Sequence, residues 1–268
     1  MEEIGRWDSV NVQQATRVVV LSDAHGHKGL IERALEHAGF DSARDGLVYA
    51  GDVVDGGTTP REVRECIALL QANDAQVLWG NHEVAALVGY PIAHQDPWTV
   101  AEFGEVLRKE FDRTGELSWR LALSVQGVLV SHAGISEDGV EEDLAGQYGR
   151  LPDGHSEFVR ALNSEFEEAV RRQMRSNLRD RRSRVLGRHA PHRLRVFDRD
   201  VERLDLPAGV LQVAGHSAPE TYADTGQLQA LTEADFYIVD PCYQRRGRSR
   251  GFRYATLEGG RVRVVESA

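Results

Sequence analysis

The chain has 268 residues, of which 41% are hydrophobic and 28% are charged, and its formal net charge at pH 7 is −10. This charge argues against a protein that holds nucleic acid on a generally basic surface, and it suits one that collects cations. The acidic start MEEIGRWDSV lacks the apolar segment of a signal peptide, and no apolar run is as long as a membrane span. Cys66 and Cys242 form neither a disulfide framework nor a zinc spacing, so we expect a reducing, cytoplasmic setting.

The first third of the chain alternates between short apolar runs and helical patterns. Pro60 suits the first turn of a helix, with Thr59 as its cap. Three repeats of strand, loop and helix are typical of a parallel sheet with crossover helices. The runs and the helices that follow them cover residues 17–22 and about 30–38, residues 47–50 and 60–73, and residues 76–79 and a stretch through Ala86.

The rest of the chain contains further strand-like runs and one polar section. The runs cover residues 127–131, 210–214 and 236–239, and a hairpin is predicted from residues 252–257 and 261–266. Within the arginine-rich section 151–201, apolar residues recur every four positions, which predicts an amphipathic helix. They are Phe158, Leu162, Phe166, Val170, Met174 and Leu178. We interpret residues 1–268 as a single domain with an insertion or cap at about 138–201.

Residues with metal-binding side chains follow five of the apolar runs. In open α/β sheets the loops at the carboxyl ends of the strands converge, so these side chains should meet at one rim. A single Asp or His after a strand is usually a turn former or a surface residue, as we expect for His37, His94, His155 and His192. That interpretation does not explain five such groups in order, namely Asp23 with His25, Asp52 with Asp55, Asn81 with His82, His132, and His216.

The spacing of these residues makes chemical sense for a pair of metal ions. Asp23 and His25 lie two apart on extended chain, so both side chains point the same way and can grip one cation. Asn81 and His82 are adjacent and diverge, so that one can bind metal while the other faces elsewhere. Oxygen and imidazole ligands without a thiolate suit manganese, iron, zinc or magnesium. Six such groups fit two ions that share a carboxylate, the arrangement used for in-line displacement at phosphorus.

The motifs SDAHG, GDVVDGG, GNHE, SHAG and AGHS, which span Asp23 to His216, resemble the signature of calcineurin-like metallophosphoesterases in the phosphoprotein phosphatase branch. That branch includes bacterial serine/threonine phosphatases and symmetrical dinucleoside tetraphosphatases. The resemblance implies an α/β fold, a four-layer α/β/β/α sandwich that here carries a helical, arginine-rich insertion. It also implies two divalent ions, with Mn²⁺ expected first and iron, zinc or magnesium as alternatives. The implied activity is hydrolysis of phosphate monoesters or phosphoanhydrides by a metal-bridging hydroxide.

The resemblance also assigns roles to individual residues. His82 would be the general acid over the leaving-group oxygen, oriented by Asp55, and a neighbouring carboxylate would keep that imidazole protonated. The implied metal ligands are Asp23 and His25 for the first ion, Asp52 as the bridge, and Asn81, His132 and His216 for the second ion.

Two departures from the family pattern concern the substrate. Ser217-Ala218 follows His216 where phosphodiesterases often have a second metal-binding histidine, which favours the phosphatase branch. Gly56 and Trp79 stand where protein phosphatases usually have arginines that clamp phosphate oxygens. Another group must then neutralise the phosphate.

Candidates for phosphate binding come from two later stretches. Arg188 in VLGRHAP is the first candidate, and Arg184 is the second. The stretch DPCYQRRGR resembles the loop that overhangs the site in this branch, so Tyr243 and Arg246 could reach substrate from there. Each of these arginines could instead be a solvated surface charge.

The stretch VRRQMRSNLRDRRSR at residues 170–184 admits two interpretations. It could collect polyanions, or it could be a solvated helix face with acid-first i,i+4 pairs, Glu167 with Arg171 and Glu168 with Arg172. The pairs and the lack of interleaved aromatic residues favour the second. The family resemblance implies a phosphorylated small molecule, nucleotide or phosphoprotein as substrate. We expect no membrane partner. A dinucleoside polyphosphate hydrolase is the alternative, and a nucleic-acid-binding protein on this fold is a weaker one.

Overall fold

The structure is a computed structural model that describes residues 10–90, 92–114, 117, 119–135, 155–175, 185–186, 209–217, 231–233, 235–241 and 251–267. The helices are α1 Val10–Gln14, α2 Lys28–Ala38, α3 Pro60–Ala72, α4 Asn81–Val88, a π-helix Thr99–Phe103, α5 Gly104–Thr114 and α6 His155–Arg175. The strands are β1 Arg17–Leu21, β2 Asp45–Tyr49, β3 Gln76–Val77, β4 Ala122–Val125, β5 Val128–Ser131, β6 Gln212–Ala214, β7 Phe236–Ile238, β8 Arg253–Glu258 and β9 Arg261–Glu266.

One sheet contains the N-terminal strands and the C-terminal hairpin. Its order is β3-β2-β1-β8-β9. The pairs β1–β2 and β2–β3 are parallel, as the alternation of strand and helix predicted, while β8 pairs antiparallel with β1 and with β9. The carboxyl ends of β1, β2 and β3 therefore lie along one edge of the sheet.

A second sheet brings together strands from the middle and the later part of the chain. Its order is β4-β5-β6-β7. The β4–β5 pair is antiparallel, and β6 joins β5 and β7 in parallel. The sequence did not predict β4, which is only four residues long and carries Ser124 in an otherwise apolar run. The ends of β5 and β6 carry His132 and His216.

Side-chain alternation along the strands divides the core into layers. Val18, Val20 and Val48 lie in the apolar cluster that also contains Val130 and Val213 of the second sheet, so these faces pack on each other. The intervening residues of β1 and β2 pack with buried residues of α2 and α3, and Phe158, Leu162 and Phe166 of α6 belong to that same buried cluster. Two sheets flanked by helices confirm the α/β sandwich.

Two predicted helices can be compared directly with the structure. Helix α3 starts at Pro60, and Thr59 caps it through a reciprocal pair of hydrogen bonds with Glu62, as predicted. Helix α6 carries the predicted apolar stripe and both i,i+4 ion pairs from Glu167 and Glu168. The remainder of the predicted insertion at 138–201 lies almost wholly outside the described residues, as does Leu178, and that boundary stays a prediction.

Candidate metal centre

The predicted ligand residues meet at the common edge of the two sheets. Main-chain hydrogen bonds join the loop after β1 to the loop after β2, from Asp23 N to Gly51 O at 3.0 Å and from His25 N to Asp52 O at 3.1 Å. The loop after β6 joins the one after β5 through Gly215 N and His132 O at 2.7 Å. These bonds fix the relative positions of loops that are far apart in the sequence.

Two groups of side chains at this edge have the geometry of metal sites. Asp23, His25 and Asp52 form one group, and Asp52, His132 and His216 form the other, with the ligand atoms of each group within 4.8 Å of one another. Asp52 is common to both groups, as expected of a carboxylate that bridges two ions.

The amide of Asn81 completes the second group. Its Oδ1 lies 2.9 Å from His132 Nε2 and 3.1 Å from His216 Nδ1, and those two nitrogens are 3.0 Å apart. Three atoms with lone pairs thus converge on one point, where a cation satisfies all of them together. The donor set of carboxylate, amide and imidazole fits a divalent ion of the manganese, iron, zinc or magnesium type.

Main-chain contacts orient two of the histidines. His132 Nδ1 lies 2.8 Å from Ala50 O, and His25 Nδ1 lies 2.7 Å from Val54 O. Because a carbonyl oxygen only accepts, each Nδ1 carries a hydrogen, and each Nε2 is the nitrogen that faces the other ligand groups. Both rings therefore present the nitrogen through which a metal ion, in place of a proton, would bind.

The ligand loops hold several side chains on unusual backbone. Nine described residues other than glycine have a positive φ, and five of them belong to the site. Such a conformation is costly for most L-residues and collects at functional sites because the surrounding structure enforces it. The five are Asp23, His25, Asp52, Asp55 and His216, with φ from 44° to 72°.

His82 and Asp55 form a dyad beside the ligand groups. His82 Nδ1 lies 2.5 Å from Asp55 Oδ2, and His82 Nε2 lies 3.9 Å from Asp52 Oδ2. Burial alone would lower the pKa of His82, but the charge of Asp52 and the hydrogen bond to Asp55 outweigh it and raise the pKa to about 9. In the metal-free protein these contacts favour the imidazolium, with Nε2–H facing the ligand groups.

The electrostatics of the ligand groups favour a cation. Burial would raise the pKa of Asp52, but the nearby imidazoles of His132 and His82 hold it well below its usual range. Burial would lower the pKa of His132, yet Asp52 raises it to about 10. For Asp23, burial and then the neighbouring Asp240 raise the pKa well above its usual range. The negative field that draws protons to these imidazoles would equally draw divalent ions.

Glu83 is a site residue that the sequence analysis missed. Its fully buried carboxylate accepts hydrogen bonds from four main-chain N–H groups. Three belong to the loop that carries Asp52 and Asp55, and the fourth is Gly80 N, so Glu83 ties that loop to the start of α4 at 2.8–3.0 Å. Burial and the charge of Asp52 raise the pKa of Glu83 to about 7. Glu83 is the last residue of the motif G-N-H-E, but nothing in its spacing indicates these partners.

Asp240 was missed although its signal was present. It directly follows β7, one of the predicted apolar runs, and it is 8% exposed near Asp23. The rule that found the other site residues at strand ends would have found it as well. Asp96 and Thr99, which contact Asp55, follow no apolar run and were beyond that rule.

The two positions where protein phosphatases have arginines are closed to a long polar side chain. Gly56 has φ +77°, and a Cβ there would lie 2.7 Å from the Cβ of His25. Trp79 is 1% exposed and packs in the core at 5.0 Å from the ring of Trp119, with its Nε1 donating to Trp119 O at 3.0 Å. The proposed phosphate contacts Arg188, Tyr243 and Arg246, and also Arg184, lie outside the described residues.

The helices of the described residues include none with the length and apolar character needed to cross a membrane.

Comparison with known proteins places this geometry in a family. A cold-active protein tyrosine phosphatase superposes with a TM-score of 0.56 at 17% identity, over 93% of this chain and 78% of that one. A protein provisionally assigned as a diadenosine tetraphosphatase superposes with a TM-score of 0.50 at 17% identity, over 96% of both chains. At this identity the similarity shows the fold alone.

The family model of calcineurin-like phosphoesterases matches residues 16–220, most of the chain, and it covers every metal-ligand candidate. The chain therefore belongs to the calcineurin-like phosphoesterase family, hydrolases of phosphate esters that work with a dinuclear divalent metal centre.

Proposed function

We propose that this chain is a phosphatase acting on phosphate monoesters or phosphoanhydrides, with Asp52 bridging two divalent ions at the edge of the two sheets. The observation that carries the proposal is the membership of Asp52 in both ligand groups. Asp23 and His25 would hold the first ion, and Asn81, His132 and His216 the second. When bound, the ions supply positive charge that polarises the phosphoryl group and lowers the pKa of a bound water.

The dyad supports a general-acid role for His82. Asp55 accepts from Nδ1, so the ring presents its Nε2–H towards the ligand groups. Against the effect of burial, the charge of Asp52 and the hydrogen bond to Asp55 both favour the protonated ring and raise its pKa in the metal-free protein. When the bond between phosphorus and the leaving-group oxygen breaks, its electron pair stays on the oxygen, which then takes the Nε2 proton. Protonation at this step matters most for alkoxide leaving groups, which are poor without a proton.

The metal and the phosphate contacts belong to the same proposal. Imidazole and oxygen donors without a thiolate support Mn²⁺ as the working metal, with iron, zinc or magnesium as the other outcomes. Because Gly56 and Trp79 leave no room for the two usual arginines, the phosphate would be anchored elsewhere. We assign that task to Arg188, with Tyr243 and Arg246 of the stretch DPCYQRRGR as further contacts.

A substrate panel on metal-defined enzyme tests the function. Protein stripped with chelator and reloaded with each candidate metal is assayed on p-nitrophenyl phosphate, phosphoserine and phosphotyrosine peptides, and diadenosine tetraphosphate. Manganese-dependent release of phosphate from the monoesters is the expected result. Turnover of diadenosine tetraphosphate in preference to the monoesters would favour the dinucleoside polyphosphate alternative. No turnover of any substrate with any metal would refute the proposal.

The bridging role is tested by counting metal ions. Asp52→Asn should lower the number of bound ions per chain, measured by elemental analysis after gel filtration, together with the activity. Asp74→Asn is the matched control, because Asp74 is also an aspartate with positive φ, at 52°, but it lies in the exposed turn after α3. An Asp52→Asn protein that retains two ions and full activity would rule out the bridge.

A further inference from the structure

The segment at residues 94–99, HQDPWT, packs against the dyad and is named here the buttress segment. It runs from the end of the turn after α4 into the π-helix. Two of its residues contact the buried carboxylate of Asp55: Asp96 donates its main-chain N–H to Oδ1 at 2.9 Å, and the Thr99 hydroxyl donates to the same oxygen. Both donors therefore contact the carboxylate oxygen that does not face His82.

The two oxygens of Asp55 thus have separate tasks. Oδ1 receives both bonds from the buttress segment, and Oδ2 faces Nδ1 of His82. A carboxyl group is planar, so fixing the direction of one oxygen fixes the direction of the other. Asp55 and Thr99 are both 0% exposed, so water has no access with which to replace a lost donor.

The buttress segment is itself fastened to the loop that follows Asp55. Gly57 N donates to Asp96 Oδ2 at 3.0 Å, and the indole Nε1 of Trp98 donates to Thr58 O at 3.0 Å. The contacts therefore run in both directions between the segment and the loop. These bonds join the segment that carries Thr99 to the loop that carries Asp55.

We propose that Thr99 is a positioning residue for proton transfer: its hydroxyl holds the Asp55 carboxylate in the orientation that aims His82 Nε2–H at the leaving group. The inference rests on the proposed function, in which His82 is the general acid. Thr99 exchanges no proton of its own in the reaction. The proton that reaches the leaving-group oxygen comes from His82 Nε2, and Thr99 and Asp55 keep their hydrogen bonds throughout.

Leaving-group dependence distinguishes this role from a purely structural one. Thr99→Val is nearly isosteric but removes the hydroxyl. Its kcat for phenyl phosphate should fall about 10- to 100-fold. General acid catalysis contributes about 10²- to 10⁴-fold to the rate, and a His82 ring that is no longer held in the right orientation would lose part of that contribution. The kcat for 2,4-dinitrophenyl phosphate, whose leaving group departs without a proton, should fall by less than about 3-fold. Thr99→Ser, which restores the hydroxyl, should recover most of the loss on phenyl phosphate.

Thr58→Val is the matched control. Thr58 is also a buried threonine, but its hydroxyl donates at 2.7 Å to the main-chain oxygen of Asp55 and not to the carboxylate. Loss of the Thr58 hydroxyl should lower the melting temperature, while the ratio of the kcat values for phenyl phosphate and 2,4-dinitrophenyl phosphate stays as in the parent. If Thr99→Val does not fold, Thr99→Cys, with a weaker donor of similar size, should show a smaller selective loss.

His82→Asn measured in parallel separates the inference from the function on which it rests. The inference is supported when His82→Asn and Thr99→Val both lose activity selectively on phenyl phosphate. It is overturned, with the function intact, when His82→Asn loses activity selectively on phenyl phosphate but Thr99→Val loses activity equally on both substrates. An equal loss on both substrates for His82→Asn would remove the general-acid role, and the role of Thr99 would fall with it.

Discussion

Replacing Trp79 by arginine would restore the residue that protein phosphatases place before G-N-H-E, and the structure indicates that Trp79→Arg will destabilise the fold without adding a phosphate contact. The Trp79 side chain is 1% exposed, and its ring lies 5.0 Å from that of Trp119 and 6.4 Å from that of Phe166 on α6. Its indole also donates to Trp119 O. The side chain thus lies in the core, where it joins the end of β3 to helix α6.

The expected cost has two parts. Removing a buried aromatic side chain of this size costs about 3–5 kcal/mol. A guanidinium held in the same buried space, against the rings of Trp119 and Phe166, adds several kcal/mol more because it loses its hydration. A total of about 6 kcal/mol or more is comparable with the whole stability of a typical domain, about 5–15 kcal/mol. At roughly 2 °C per kcal/mol, the melting temperature should fall by more than about 10 °C.

Thermal unfolding followed by circular dichroism measures this loss, and p-nitrophenyl phosphate kinetics on the folded fraction measures any gain in binding. Trp79→Phe serves as the control, since it keeps an aromatic ring but loses the indole hydrogen bond, and it should cost only about 1–2 kcal/mol. The reasoning would be refuted by a Trp79→Arg protein that melts within about 3 °C of the parent with a lower KM for the phosphate ester.

Three further outcomes follow from individual contacts. Gly215→Ala should weaken metal binding in calorimetric titration, because the new Cβ would meet Asp23 Oδ2 at 2.1 Å; unchanged affinity would contradict this close approach. In metal-free protein the pKa of His82 is about 9, against 6.5 in the unfolded chain. The raised pKa stabilises the fold fully below pH 6.5, and this stabilisation is lost as the pH rises through 9. The free energy of unfolding, measured with urea in the presence of chelator, should therefore fall further between pH 6 and pH 9.5 in the parent than in His82→Asn, by on the order of 3 kcal/mol. Burial raises the pKa of the Cys66 thiol to about 12. A Cys242→Ser protein should therefore react with a thiol reagent at pH 8 only on unfolding, and rapid labelling of the native protein would contradict the burial of Cys66.

Much of the candidate site followed from the sequence because the candidate ligands obey a single rule. Asp23, Asp52, His132 and His216 each lie just beyond a buried strand, and parallel strands end at a common edge. Asn81 also fits, although β3 is shorter than predicted and covers only Gln76–Val77. Residue type and strand order were sufficient here, because a metal site selects for both.

The parts that the sequence did not reveal depend on long-range contacts. Thr99 meets Asp55 across 44 residues of chain, and Glu83 reaches the N–H groups of residues 52–54 from about 30 residues away. Neither contact has a periodic or compositional signature. Thr99 lies in a stretch for which no element was predicted, and Glu83 is explained well enough as a glutamate in the first turn of a helix. The contacts that these two residues make with the Asp52–Asp55 loop are therefore visible only in three dimensions.

The same contrast explains why Gly56 and Trp79 could be noticed but not interpreted from sequence. Their departure from the family pattern indicated that another group must neutralise the phosphate, but not what the two residues do instead. In the structure Gly56 adopts a left-handed backbone that passes close to His25, and Trp79 is buried in the core, where it packs on Trp119 and Phe166. Backbone conformation at the first position and core packing at the second therefore leave no space for an arginine side chain. In the proposed function the phosphate is bound by residues from later stretches of the sequence, such as Arg188 and Tyr243, so we expect substitutions there, rather than in the metal-ligand motifs, to change substrate preference.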